Sequence, residues 1–170
     1  RINTHSPFIA PAVWKDNGGE PDMDVFEDCA VVGGLDLSAR NDLTALIFAA
    51  KDRQGIWHID PKFFVPEDGI HDRSARDRVP YDLWRDQGFL IATPGSTVDY
   101  AWVAEALHQY EVERNVTAVR FDRWRIDVLK AELAKLGSRI NLEAHGQGFR
   151  DMAPAVDNLE SELLQRRIRH

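Results

Sequence analysis

The sequence predicts an α/β domain built on a mixed β-sheet, and three observations carry that prediction. Between residues 31 and 65, three apolar segments are separated by two tight turns, the pattern of an antiparallel meander. From residue 99 onward, helical and strand-like periodicities alternate, which places helices on the faces of a sheet. Two strands far apart in the chain each close on an acid, Asp36 and Asp122.

Residues 1–30 carry Pro7, Pro11, Pro21 and the turn-rich run Lys15-Asp16-Asn17-Gly18-Gly19, and read as an extended arm or linker with little regular structure. Phe8, Ile9, Val13 and Trp14 are placed to pin that arm against its own domain. Val31 to Ser38 follows as a strand, since valine and leucine suit a covered, pleated surface. Alternation sets Leu35 and Leu37 on one face, and Gly34 and Asp36 on the other. Residues 38–42 form the first turn, Leu43 to Ala50 the second strand, residues 51–55 the second turn and Ile56 to Val65 the third strand.

Residues 66–80 are dense in charge and read as a mobile surface loop, solvated rather than bound to DNA. Tyr81 to Gln87 suggests a short helix stopped by Gly88, and Phe89 to Ala92 a short strand. A helix from Asp99 to Arg114 is marked by Val103, Leu107 and Tyr110, with Thr97 or Asp99 able to cap it. Thr117 to Asp122 is a strand with Val119 and Phe121 on one face, Arg120 and Asp122 on the other. Ile126, Leu129, Leu133 and Leu136 mark the next helix, ended by Gly137. Ile140 to Ala144 is a further short strand, and His145-Gly146-Gln147-Gly148 a connector. A last helix runs from Asp151 to Arg169, with Val156, Leu159 and Leu163 on its buried side and Arg166, Arg167 and Arg169 complementing its C-terminal dipole.

Composition bounds the function. At 170 residues and 44% hydrophobic, the chain suits one domain with a real core. No apolar run is long enough to span a bilayer, and the single Cys29 cannot form an internal disulfide, which favours a reducing compartment. A formal charge of −7 argues against a general electrostatic grip on nucleic acid, yet it is compatible with a nuclease whose carboxylates hold metal. If the Asp36 and Asp122 strands lie side by side, two carboxylates converge, and hard oxygen ligands of that kind bind Mg²⁺ or Mn²⁺. Taken alone, each acid also suits a strand end facing water or an arginine. Asp42, in the first turn, is either a supporting acid or a turn former bonding its own backbone.

The segments Gly34-Leu35-Asp36-Leu37-Ser38, Asn41-Asp42-Leu43-Thr44-Ala45, Phe121-Asp122-Arg123-Trp124-Arg125 and Met152-Ala153-Pro154-Ala155, in that order, resemble the C-terminal nuclease domain of tailed-phage terminase large subunits. The resemblance covers residues 31–170 and makes residues 1–30 the connection from an upstream ATPase domain. It implies an RNase H-like fold, with helices on both faces of the sheet, and a two-metal endonuclease using Mg²⁺ or Mn²⁺ that cuts concatemeric double-stranded DNA at packaging in the cytoplasm of a bacterial host, encoded by a bacteriophage or prophage. Asp36 then matches the first-strand metal ligand, Asp122 the second acid and Asp42 a candidate supporting acid. The family's partners are the ATPase domain of the same protein, the terminase small subunit and the portal. The family's third acid, an Asp followed by Gly in a later helix, has no counterpart here. Asp151, Asp157, Glu160 and Glu162 do not stand in that motif, which implies a domain truncated at its C-terminus and weakly active by itself. Two other classes share parts of this pattern: an RNase H-like resolvase or integrase, and a non-catalytic domain that docks DNA or a partner.

Overall fold

The computed structural model of the protein describes residues 7–38, 43–123 and 126–170. The meander is present as β1 (Val31–Asp36), β2 (Thr44–Lys51) and β3 (Trp57–Pro66), paired antiparallel in sequence order. Two helices, α1 (Pro11–Asp16) and α2 (Asp24–Asp28), precede them. After β3 come α3 (Ile70–Asp77), α4 (Tyr81–Asp86), β4 (Ile91–Thr93), α5 (Tyr100–Glu113), β5 (Val116–Phe121), α6 (Ile126–Lys135), β6 (Leu142–Ala144), α7 (Phe149–Leu164) and β7 (Ile168–Arg169). The sheet order is β4-β3-β2-β1-β5-β6, with β7 added to β3. The β1–β5 and β5–β6 pairs are parallel, so the sheet is mixed and β1 lies in its middle, flanked by β2 and β5.

One face of this sheet is sealed. Val31 and Leu35 of β1, Leu46 and Phe48 of β2, and Val119 and Phe121 of β5 pack with Phe26 of α2, with Val103, Leu107 and Tyr110 of α5, and with Ile126, Leu129 and Leu133 of α6. Burial of these apolar side chains is the main stabilising term, at about 1.5–3 kcal/mol for each large one. Asp99 caps α5 as its composition suggests, its side chain accepting from the Ala101 N–H at 2.9 Å. Gly137 follows α6 with φ +70°, a conformation that glycine adopts without the Cβ penalty.

Four segments differ from the sequence expectation. Residues 11–16 and 24–28 are helical rather than extended, and the fully buried Asn17 ties α1 to the end of α7. Its amide donates to the carbonyls of Val13 (2.8 Å) and Leu163 (2.9 Å), and its oxygen accepts from the Ile168 N–H at 3.2 Å. Residues 70–77 form a helix rather than a loop. Only Ile70 and Arg73 are buried there, so no apolar period marked it. The last helix starts at Phe149, with Gly148 rather than Asp151 at its cap, and stops at Leu164. Arg166 takes φ +55°, and Arg169 continues into β7 beside His58. Two of the arginines therefore answer carboxylates rather than a helix dipole, Arg166 pairing with Asp16 (2.9 Å) and Arg167 with Glu162 (2.7 Å), while Arg169 donates to the carbonyls of Arg166 and Ile168. On α7 only Leu163 is buried, while Val156 and Leu159 stay exposed.

Candidate functional site

The parallel register of β1 on β5 decides where the two acids go. Gly34 lies opposite Arg120 and Leu35 opposite Phe121. The next residue on each chain is Asp36 and Asp122. Adjacent strands run about 4.8 Å apart, so the two aspartates are neighbours at the carboxyl edge of the sheet. Leu35 and Phe121 point into the sealed core, and alternation turns Asp36 and Asp122 to the opposite, open face. Asp36 is exposed and Asp122 half-buried. Neither carboxylate is ion-paired or hydrogen-bonded among the described residues. Beside them Gly34 faces open space: a Cβ there would meet nothing within 4 Å.

The end of β1 is held by hydrogen bonds that the sequence reading did not single out. The Ser38 N–H donates to Thr44 Oγ1 (2.9 Å), Thr44 Oγ1 donates to Ser38 Oγ (3.0 Å), and the Tyr100 hydroxyl donates to the Ser38 carbonyl (2.7 Å). Ser38, Thr44 and Tyr100 are all buried. The available signal was a Ser and a Thr bracketing the turn next to the acid. Asp42 lies in that turn, outside the described residues.

On the far side of Asp122, β6 extends the row. The His145 N–H donates to the Phe121 carbonyl at 2.8 Å, which fastens His145 alongside Asp122. The Asp151 carboxylate lies against Gly146, where any Cβ would collide with it. Of the other acids in the last helix, Glu162 is taken up by Arg167 and Lys51.

Two carboxylates on one edge, without an ion-pair partner among the described residues, are hard oxygen donors suited to Mg²⁺ or Mn²⁺. Such ions keep several waters and accept one or two protein carboxylates plus substrate phosphate, which fits a pair. Among the described residues, no group of three or more His, Cys, Asp or Glu is gathered tightly enough to hold a metal.

Comparison with known proteins gives the family. Residues 13–170 match the family model described as the terminase large subunit, endonuclease domain. The chain belongs to that family. It is 42% identical to the terminase large subunit of Enterobacteria phage HK97, over 100% of this chain and 33% of that protein. The crystal structure of the HK97 large terminase superposes with a TM-score of 0.88, covering 97% of this chain and 34% of that one. The large terminase nuclease of thermophilic phage G20c shares the fold at a TM-score of 0.51 and 12% identity, over 88% of this chain and 61% of that one. The terminase nuclease domain is thus an RNase H-like mixed sheet, and this chain spans about a third of the length of the HK97 protein it matches. No helix among its described residues is long and apolar enough to cross a membrane.

Proposed function

We propose that residues 31–170 are the DNA-cutting domain of a phage terminase large subunit, hydrolysing phosphodiester bonds of concatemeric double-stranded DNA during packaging in the host cytoplasm. The observation that carries this reading is that Asp36 ends β1 and Asp122 directly follows the parallel β5 beside it, neither acid having a partner among the described residues. Asp36 and Asp122 hold Mg²⁺ or Mn²⁺, with Asp42 as a supporting acid. Two such ions, when bound, supply an activated water and stabilise the leaving oxygen.

The chain's own contribution is placement. The Ser38–Thr44–Tyr100 network fixes the end of β1, and thereby the backbone that presents Asp36. The β1–β5 ladder fixes Asp122 relative to Asp36. Gly34 adds no side chain beside the two acids, and a Cβ there would meet nothing within 4 Å. Residues 1–30 connect this unit to an ATPase domain, and the terminase small subunit and portal are partners of the whole protein.

Plasmid nicking with Mg²⁺ or Mn²⁺ tests the reading. Asp36→Asn and Asp122→Asn should each lower the nicking rate by about a hundredfold or more, on the scale of removing one electrostatic catalytic group, while thermal melting in the absence of metal stays at or above wild type. Full activity in both variants would sink the assignment. Preference for four-way junctions over linear duplex would move it to a resolvase.

A further inference from the structure

Arg120 places a cation on the open face close to the acid pair. Arg120 lies two residues before Asp122, so both side chains leave β5 on the same side, about 6–7 Å apart along the strand. Arg120 is exposed, and its only partner among the described residues is Glu143 on β6, at a long 3.5 Å. An exposed pair at that distance contributes little, and it exchanges easily for another anion. On the other side, Gly34 stands opposite Arg120 in the β1–β5 register and offers no side chain to crowd it. Arg120 and Glu143 form one wall of a hollow of about 480 Å³, lined also by Val32, Trp57 and Ala118. The hollow extends from Arg120 and Glu143 over Val32, Gly33, Thr117 and Ala118 toward the start of β1 and β5, so Arg120 stands at its end nearer Asp36 and Asp122.

We infer that Arg120 is a phosphate-gripping residue, which leaves Glu143 and binds the DNA backbone beside the phosphodiester to be cut, with the strand lying along this hollow. The inference rests on the nuclease reading above and deepens it. A guanidinium presents its donors as a planar fork that matches a phosphate, and the charge-assisted bonds it forms are stronger than the exposed bond to Glu143. Glu143 then has a second effect: it occupies the arginine in the free protein and repels an incoming phosphate. Removing the two partners should consequently move DNA binding in opposite directions.

The test is binding of a short fluorescent duplex to the 170-residue chain, with Ca²⁺ in place of the activating metal and across a range of salt. Arg120→Ala should weaken binding about tenfold and reduce the slope of log K against log salt by about one. Arg120→Lys should retain part of the affinity, because it keeps the charge but not the fork. Glu143→Gln should tighten binding several-fold. All three should melt within a few degrees of wild type, as expected for loss of an exposed pair. Wild-type affinity in Arg120→Ala would overturn the inference, and so would equal weakening by Arg120→Ala and Glu143→Gln, which is what a merely structural ion pair predicts. If Arg120→Ala does not fold, the lysine and glutamine variants decide the question alone. Because binding is read without cleavage, failure here leaves the Asp36 and Asp122 result standing, and the reverse holds as well.

Discussion

The two faces of the β1–β5 pair are made by alternate residues of the same strands, and they do different work. Toward the core, Val31, Leu35, Val119 and Phe121 are buried against α5 and α6. On the other side, Val32 is 40% exposed, and Gly34, Asp36 and Arg120 are exposed as well. Stability is concentrated on one face, which leaves the other free to carry groups that would be costly in a core. Uncompensated carboxylates are tolerated because the sealed face supplies the folding energy and the open face supplies the solvent. The adjacent glycines, Gly33 on the core face and Gly34 on the open one, allow this division to be tested one methyl at a time.

The largest effect on stability is expected at Gly33. A Cβ there would lie 2.8 Å from Val119 Cγ2 and 3.2 Å from Cγ1. Valine is stiff at χ1 and is fully buried here, so it cannot swing aside. Gly33→Ala should destabilise the fold by about 1–3 kcal/mol, the usual cost of overpacking a core, as read by urea unfolding. A loss below the low end would mean that β1 and β5 can part locally, and would weaken the claim that their register holds the acids in place.

Tyr110 probes the same sealed face with a smaller effect. Its ring stacks on Phe48 with centroids 3.7 Å apart, and its hydroxyl donates to the Asp60 carboxylate, which also pairs with Lys62 at 3.2 Å. Tyr110→Phe keeps the stack and should cost about 1 kcal/mol at neutral pH. Burial, reinforced by the Asp60 carboxylate, pushes the Tyr110 hydroxyl well above its ordinary range. The folded state thus holds the tyrosine proton more tightly than the unfolded chain does. Its contribution to stability is complete below the unfolded value of about 10 and falls as pH rises through the higher folded value. The gap between wild type and Tyr110→Phe should narrow above about pH 10 in unfolding titrations. A gap that stays constant would show that the hydroxyl titrates alike in both states.

Most of the sheet was legible because its periods are clean. Alternation in β1 and β5 put Asp36 and Asp122 on one side of their strands, and the meander and α5 carried their own turns and cap. The pairing of β1 with β5 is a long-range fact that sequence can only suggest. What was hidden depended on single polar contacts. Asn17 stands in a run of turn formers, yet its burial closes α1 onto α7. Helix α3 shows one large apolar side chain, Ile70, and hides its other buried residue under the name of arginine. The arginines at 166–169 suit a helix C-terminus by charge alone, while Asp16, Glu162 and the edge of β3 compete for them and win. At the end of β1, the support around Asp36 was not readable: Tyr100 reaches the Ser38 carbonyl across 62 positions of sequence.

The smallest stability effect, and the sharpest contrast, is expected at Gly34. A Cβ there meets no atom within 4 Å. Replacing a strand glycine by alanine also lowers the entropy of the unfolded chain, so Gly34→Ala should be neutral or stabilising by up to about 1 kcal/mol. The same methyl would project from the open face between Val32 and Asp36, opposite Arg120, where the DNA backbone is proposed to run. Plasmid nicking should therefore fall although the fold is as stable as before, with the loss appearing in KM for DNA more than in kcat. An alanine variant that nicks as wild type does would show that the duplex stands off this stretch of β1, between Arg120 and the acids.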